Sequence, residues 1–379
     1  MPAAPLSQLL PADRADGVFV GRILPPGEDG PCVVAVRGDE LADLTSLAAT
    51  TADLLERDDV REIATTGFAA RTWPLDDPGV ELLAPIDLQV IKAAGVTFAV
   101  SMIERVIEER AAGDPAKALE IRQRVQSAIG HSISKVQPGS ETAAKAKEAL
   151  QAEGLWSQYL EVGIGPDPEI FTKAPVLSAV GAGAQIGVLS RSAWNNPEPE
   201  VVLVARPDGT AVGATLGNDV NLRDFEGRSA LLLGEAKDNN ASCAIGPFVR
   251  LFDDRFTLDT VAGVDVTLLI EGADDGFRLE ATSSMSQMSR TLPELLGHTR
   301  GAHHQYPDGF ALFTGTMFAP TQDRDAPGQG FTHHEGDVVT ISTPLLGTLI
   351  NTVTSSEQAP PWEVGIRALV RNLAERRLL

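Results

Sequence analysis

Cysteine is nearly absent from this chain. Its 379 residues hold two, Cys32 and Cys243, too few and too far apart for a disulfide framework, and the sequence fits a reducing compartment. Cys243, between Ser242 and Ala244, reads as a packed thiol. Positive charge is also scarce: Lys and Arg total 31 against 52 Asp and Glu, a formal charge of −21. Such a surface repels phosphate backbones and anionic bilayers, so nucleic-acid and membrane partners are disfavoured. No stretch approaches about 18 uninterrupted apolar residues, and the first residues lack a basic segment followed by an apolar core. The expectation is a soluble, cytoplasmic protein. Also missing are a Gly-rich phosphate loop, a Ser-centred nucleophile elbow and any internal repeat.

What is present is a dense set of carboxylates between Asn195 and Asp224. Glu198 and Glu200 open a β-branched run, and residues i and i+2 of a strand face the same way. Arg206, Pro207, Asp208 and Gly209 read as a turn, because Pro presets φ and Gly tolerates the left-handed region. With Pro207 and Asp208 as a two-residue loop, Arg206 pairs with Gly209 and Glu198 lies opposite Gly217. Asp219 then sits diagonally on the same face, roughly 7–8 Å away between backbones. A bulged three-residue loop would slip the register by one and turn Asp219 away; both turns remain open here. Oxygen-only ligation by Glu198, Glu200 and Asp219 suits a hard cation, Mg²⁺ first and Mn²⁺ as a substitute, over zinc.

The surrounding residues carry a resemblance. The Glu198 to Glu200 strand is followed by Asn218, Asp219, Arg223 and Asp224, then Lys237, then Gly246 and Pro247. Further on come Thr314, Gly315 and Thr316, then Gly336 and Asp337, then Gly347, Asn351 and Val353; upstream lie Gly95 to Glu104 and Ile170 to Lys173. In this order the chain resembles the fumarylacetoacetate hydrolase family over residues from about 85 to 355. It departs from the hydrolases where they carry a water-activating His: here stands Ser101. With an added segment at about 110–160, Phe171, the Asn195, Asn196, Pro197, Glu198 run and the Phe313 to Pro320 stretch, it looks most like the sugar-acid branch, the 2-keto-3-deoxypentonate dehydratases.

The resemblance implies an α+β, β-rich fold, a mixed sheet rolled into a partly closed barrel with the metal at its mouth. It also implies a small α+β N-terminal domain over residues 1–84 and a catalytic domain over 85–379. The residues themselves suggest an antiparallel pair at Val18–Leu24 and Cys32–Arg37, helices from near Thr45 and at Thr51–Glu56, and a helix from about 100 to 110. Two amphipathic helices follow between 114 and 153, read as a wall near the site or an oligomer contact. Beyond residue 168 strands are expected at 169–173, 184–189, 201–205, 211–216, 256–258, 264–270, 277–280 and 338–342.

The implied activity is loss of water from a 2-oxo-3-deoxy sugar acid to give 2,5-dioxopentanoate. It needs polarisation of the 2-oxo group, removal of a C3 proton and protonation of the C4 hydroxyl. Lys237 and Glu169 compete as base: a metal lowers the pKa of Lys237, while Phe171 beside Glu169 raises that of the carboxylate. Glu104 is the second choice for acid, with pairing to Arg105 or Arg223 as the alternative, and Ser101 is limited to hydrogen bonding or positioning water. Phe98, Thr316 and Thr343 are expected to contact a small 2-oxo sugar acid. Of the six histidines, the pairs His303 with His304 and His333 with His334 lie in Gly- and Asp-flanked loops, show no metal-ligand spacing and read as exposed loop residues. The expected assembly is a homo-oligomer, a dimer or larger. The competing functions are an acylpyruvate hydrolase or decarboxylase, and a non-catalytic binding protein on the same fold.

Overall fold

The computed structural model describes residues 5–118, 120–122, 136–152, 154, 156–318, 320–327 and 329–379. Its strands in chain order are β1 (Phe19–Leu24), β2 (Cys32–Arg37), β3 (Glu40–Asp43), β4 (Thr72–Pro74), β5 (Glu81–Leu83) and β6 (Val90–Gly95). Then come β7 (Glu169–Ala174), β8 (Gln185–Val188), β9 (Asn195–Asn196), β10 (Pro199–Ala205), β11 (Ala211–Asp219) and β12 (Asn221–Leu222). The last are β13 (Cys243–Leu251), β14 (Asp265–Glu271), β15 (Arg278–Ser284), β16 (Phe310–Phe313), β17 (Val338–Thr343) and β18 (Gly347–Ser355).

The larger sheet has the order β4-β3-β2-β1-β13-β11-β10-β16-β6-β7, with β5 also on β1. The smaller has the order β15-β14-β17-β18-β8, and β9 pairs with β12 in a separate ribbon. Both sheets are mixed, through the parallel pairs β16 with β6 and β18 with β8. Neither order returns to its start, so no sheet closes among the described residues. The architecture is α+β and rich in strands.

One apolar core lies between the sheets, where Leu216 and Phe248 of the larger meet Leu268, Ile341 and Leu349 of the smaller. A second covers the other face of the larger sheet, where Val202, Val204, Val249 and Phe313 pack with Leu54, Leu55 and Ile63 from the N-terminal helices. Burial on both faces is why β10 is apolar at five successive positions, Val201 to Ala205, instead of alternating. At 25 cal/mol per Å², each fully buried Val or Leu there contributes about 1.5–3 kcal/mol. A third cluster joins the helices Ala99–Ala111, Glu141–Ala152 and Gln158–Ile164.

The expected β1 and β2 pair antiparallel, and Thr51–Glu56 is a helix capped by Thr50 and Asp53. No helix starts at Thr45; that stretch is turn, and the second N-terminal helix is Val60–Thr66. The N-terminal strands join the large sheet directly, because β1 pairs with β13. Residues 256–258 form no strand, since the Thr257 hydroxyl accepts from the Thr260 N–H and caps the helix Leu258–Val261. Of the two helices expected between 114 and 153, Glu141–Ala152 is present, and much of the other, with His131, lies outside the described residues.

Candidate active site

The hairpin of β10 and β11 sets the site, and its register differs from both turns considered above. Arg206 N–H donates to Thr210 O at 2.9 Å, with Gly209 at φ +92° closing the turn, which is the three-residue loop. A second one-residue shift follows between Val204 and Ala205. Two slips of one restore the side-chain parity, and Glu200 faces Gly217 with Pro199 opposite Asn218. Asp219 N–H donates to Glu198 O at 3.0 Å, so these carboxylates are directly opposed instead of diagonal. Glu198, Glu200 and Asp219 are all buried, with one oxygen of each within 4.8 Å of the others.

Each carboxylate has different company. The Lys237 ammonium bonds Glu198 and reaches Asp219 at 3.2 Å. Lys173, fully buried, lies 2.8 Å from the other oxygen of Asp219 and donates to the Lys237 carbonyl. Glu200 accepts the Gly315 N–H at 2.6 Å. Gly315 has φ +99°, and a Cβ there would collide with the Thr97 hydroxyl.

Burial favours the protonated form of Asp219, yet Lys173 and Lys237 outweigh it and hold the carboxyl below its ordinary range. Glu200 goes the other way, pushed well above by burial and by the Asp219 and Glu198 charges. Burial pulls Lys237 toward the neutral amine, but Asp219 and Glu198 reverse the effect and raise it. The expectation of a lowered Lys237 rested on a neighbouring metal; in the chain alone its neighbours are carboxylates. Three oxygens within one ion's reach, one of them on a carboxylate held up by like charge, fit a hard divalent cation. Glu198, Glu200 and Asp219 are the side chains that would hold it.

Glu169 and Phe171 line the same cavity as the carboxylates, with Lys237, Ser101 and Thr316. Glu169 pairs with Gly95 across β6 and β7 and folds over it, into the place a Cβ would take. Burial raises its pKa. The next residue, Val96, has φ 58°, a strained value for a β-branched side chain, and it too lines the cavity. The Lys237 ammonium lies 5.8 Å from the centre of the Phe171 ring.

Ser101, on the first turn of Ala99–Ala111, donates to Phe98 O at 2.9 Å. Glu104 on that helix does not line the carboxylate cavity. Arg122 holds both its oxygens, at 2.7 and 3.0 Å, and Arg223 reaches one at 3.3 Å, so Glu104 is held in ion pairs. Phe98 is buried in the core between the sheets and lines no part of the cavity, because it leads into the helix and bridges to Met288. Thr343 ends β17 in the smaller sheet, opposite Gly347, and is equally absent from the cavity wall. Thr316 is in place: its hydroxyl donates to Pro199 O at 3.2 Å.

Three residues have partners that the sequence did not assign. Lys173, the last residue of the Ile170 to Lys173 motif, lies on the Glu169 face of β7 and pairs with Asp219. Arg105 bonds Glu198 and Glu108 and lies 3.0 Å from Glu226, whose carboxyl burial pushes up to about 7. Arg223, expected as a pairing partner of Glu104, also bonds Glu108 at 2.6 Å.

Among the histidines, His303 and His304 are exposed as expected, and His298 is exposed on the helix Leu292–Thr299. The His333 side chain is buried, 3.5 Å from Asp337, and burial lowers its pKa. His334 lies with Asp274 and Asp275, but Arg324 already holds Asp275 at 2.8 Å. Cys243 is buried, its thiol pushed up to about 12 by burial, and Cys32 is likewise buried and unpaired.

A buried Glu–Glu–Asp triad with a lysine on it, carried by a pair of mixed sheets, defines a hard-cation site on an α+β scaffold. The chain belongs to the fumarylacetoacetate hydrolase family, whose C-terminal domain matches residues 144–354. It is 31% identical over 308 residues to a probable 2-keto-3-deoxyxylonate dehydratase of Haloferax volcanii, covering 81% of this chain and 93% of that one. It is 33% identical over 186 residues to a 2-dehydro-3-deoxy-D-arabinonate dehydratase of Saccharolobus solfataricus, spanning 49% of this chain and 58% of that relative. Among solved structures, 2-keto-3-deoxy-D-arabinonate dehydratase complexed with magnesium and 2,5-dioxopentanoate has a TM-score of 0.61 at 21% identity, covering 89% of this chain and 98% of that one. A 5-carboxymethyl-2-hydroxymuconate delta-isomerase from Mycobacterium smegmatis shares the fold at TM-score 0.55, 21% identity and the same coverage. The fold therefore does not choose the reaction.

Proposed function

We propose that the chain is a hydro-lyase that depends on a divalent cation and converts a 2-keto-3-deoxypentonate, of xylonate or arabinonate type, to 2,5-dioxopentanoate. The observation that carries this reading is one buried cavity faced by three clustered carboxylates, an ammonium and a carboxyl of raised proton affinity. The names of the curated relatives support the substrate class. The magnesium in the similar solved structure supports Mg²⁺, with Mn²⁺ as a substitute, at Glu198, Glu200 and Asp219. When bound, the ion supplies Lewis acidity to the 2-oxo group.

The chain's own residues handle protons and charge. Burial makes Glu169 a stronger base than an ordinary carboxylate. It takes a C3 proton, and the electron pair of that C–H bond enters the C2–C3 bond. The pair moves on to C3–C4 as the C4–O bond breaks, and Glu169 returns its proton to the leaving hydroxyl as water. Proton shifts from C5 and its hydroxyl onto C3 and C4 then make the aldehyde, so one water is lost and no oxidant is consumed. Lys237, held as an ammonium, donates to the developing oxyanion. Glu104 and Arg223 act as positioning residues for the helix that carries Ser101. Ser101 has no ring nitrogen to activate water, which disfavours hydrolysis of an acylpyruvate.

The catalytic unit in this proposal is residues 85–379, and every cavity residue named above lies within it. The enzyme is further proposed to be a cytoplasmic homo-oligomer. Exposed Trp362, Val364, Ile366 and Val370 around the C-terminal helix support that assembly, and no helix among the described residues is long and apolar enough to cross a membrane. The mutational test is Glu169→Gln and Lys237→Ala. Both are expected to keep Mn²⁺ binding, followed by electron paramagnetic resonance, while dehydration falls by at least about a hundredfold. Unchanged turnover in Glu169→Gln would remove that residue from proton transfer.

A further inference from the structure

We propose that Asn196 reads the terminal hydroxyl of the substrate and is a specificity-determining residue; this rests on the dehydratase reading above. Asn196 lies in the β9–β12 ribbon, opposite Asn221, two residues before Glu198. It is 3% exposed. Its amide nitrogen donates to Pro197 O at 2.8 Å, which fixes the orientation of the amide. Its side-chain carbonyl oxygen is buried and has no partner among the described residues. A buried acceptor with no donor carries a desolvation cost that a ligand O–H removes.

Asn196 also lines a second cavity. Asn196 lines it together with Ser101, Arg105, Glu198 and Thr316, and the last four also line the carboxylate cavity, so the two spaces share these side chains as a wall. A five-carbon acid held at the carboxylate end would extend its far carbons along this shared wall. The charges of the annex are already compensated: Arg105 by Glu108, Glu198 and Glu226, and Arg223 by Glu108 and Glu104. Ser101 and Thr316 spend their protons on Phe98 O and Pro199 O, so both present lone pairs. With Asn196 they make a surface of acceptors. Such a surface matches a neutral hydroxyl end and repels a second carboxylate or a phosphate. The C5 hydroxyl is also the group that becomes the aldehyde, so its placement bears on the second half of the reaction.

The test compares a 2-keto-3-deoxypentonate with its 5-deoxy analogue, 4-hydroxy-2-oxopentanoate, whose dehydration gives a conjugated enone followed by absorbance. Wild-type kcat/KM is expected to favour the pentonate by at least about tenfold, because a site built for a hydroxyl rejects the analogue lacking it. Asn196→Ala is expected to lose about tenfold on the pentonate and less than about twofold on the analogue, with Asn196→Ser recovering part of the loss. Equal losses on both substrates, or none on either, would overturn the assignment while leaving the dehydratase reading intact. Should Asn196→Ala fail to fold, the wild-type ratio decides, and equal use of both substrates overturns it. A wild-type protein that dehydrates neither substrate removes the dehydratase reading and this inference together.

Discussion

Glu200 differs from its two neighbours in what meets it. Glu198 and Asp219 bond ammonium groups, while Glu200 receives the Gly315 N–H and the field of two carboxylates. A cation placed among the three would gain most from this side chain, since it relieves repulsion there that Lys237 only partly offsets. Glu200→Gln is therefore expected to weaken Mg²⁺ or Mn²⁺ binding by more than about tenfold in calorimetric titration, with the circular dichroism of the folded chain retained. An unchanged titration would mean that Glu200 is not a ligand. The three carboxylates were legible in the sequence because they are local: i and i+2 on one strand, with the third across one hairpin. The contacts of Lys173 with Asp219 and of Arg105 with Glu198 were not, since each reaches the triad from an element far away in sequence. Phe98 and Thr343 show the opposite case, expected to contact substrate but placed by packing in the core between the sheets and at the end of β17.

At the scale of the element, the β10–β11 hairpin depends on parity more than on turn type. A three-residue loop alone would have turned Asp219 to the other face; the shift at Val204 and Ala205 turns it back. The loop could be argued from Pro207, Asp208 and Gly209, but the bulge has no residue signature in an apolar run, so the register was not readable. Strands with a clear apolar run bounded by turns, such as β10, β14 and β17, were recognised, whereas β6, β13, β16 and β18 were missed. Gly217 faces Glu200 within this hairpin, and a Cβ there would meet the Phe313 ring and come 2.6 Å from Val202 Cγ2. Gly217→Val is expected to cost about 1–3 kcal/mol by overpacking. Urea denaturation of the variant checks this, and an unchanged midpoint would mean that Phe313 retreats freely.

The whole molecule carries a formal charge of −21, and its reaction as proposed takes an anionic acid. The conflict is local, and Lys173, Lys237, Arg105 and a bound cation answer it where it arises. The same buried charges give the metal-free protein a pH signature. Glu226 has its folded-state pKa raised to about 7 by burial, so the protonated form is favoured on folding. Its contribution is fully present below the ordinary carboxylate range and is lost as pH rises through about 7; Glu200, also raised, adds with the same sign. Metal-free protein is expected to be less stable to urea at pH 8 than at pH 5, with Glu226→Gln narrowing the gap. An equal gap in the variant would place the pH dependence elsewhere. The most direct measurement of the central claim is product analysis with a 2-keto-3-deoxypentonate before chelation, after exhaustive dialysis against EDTA, and after Mg²⁺ is restored. The account predicts 2,5-dioxopentanoate in the first and third samples and none in the second. Full turnover without metal, or efficient release of pyruvate from an acylpyruvate with no dehydration, would contradict it.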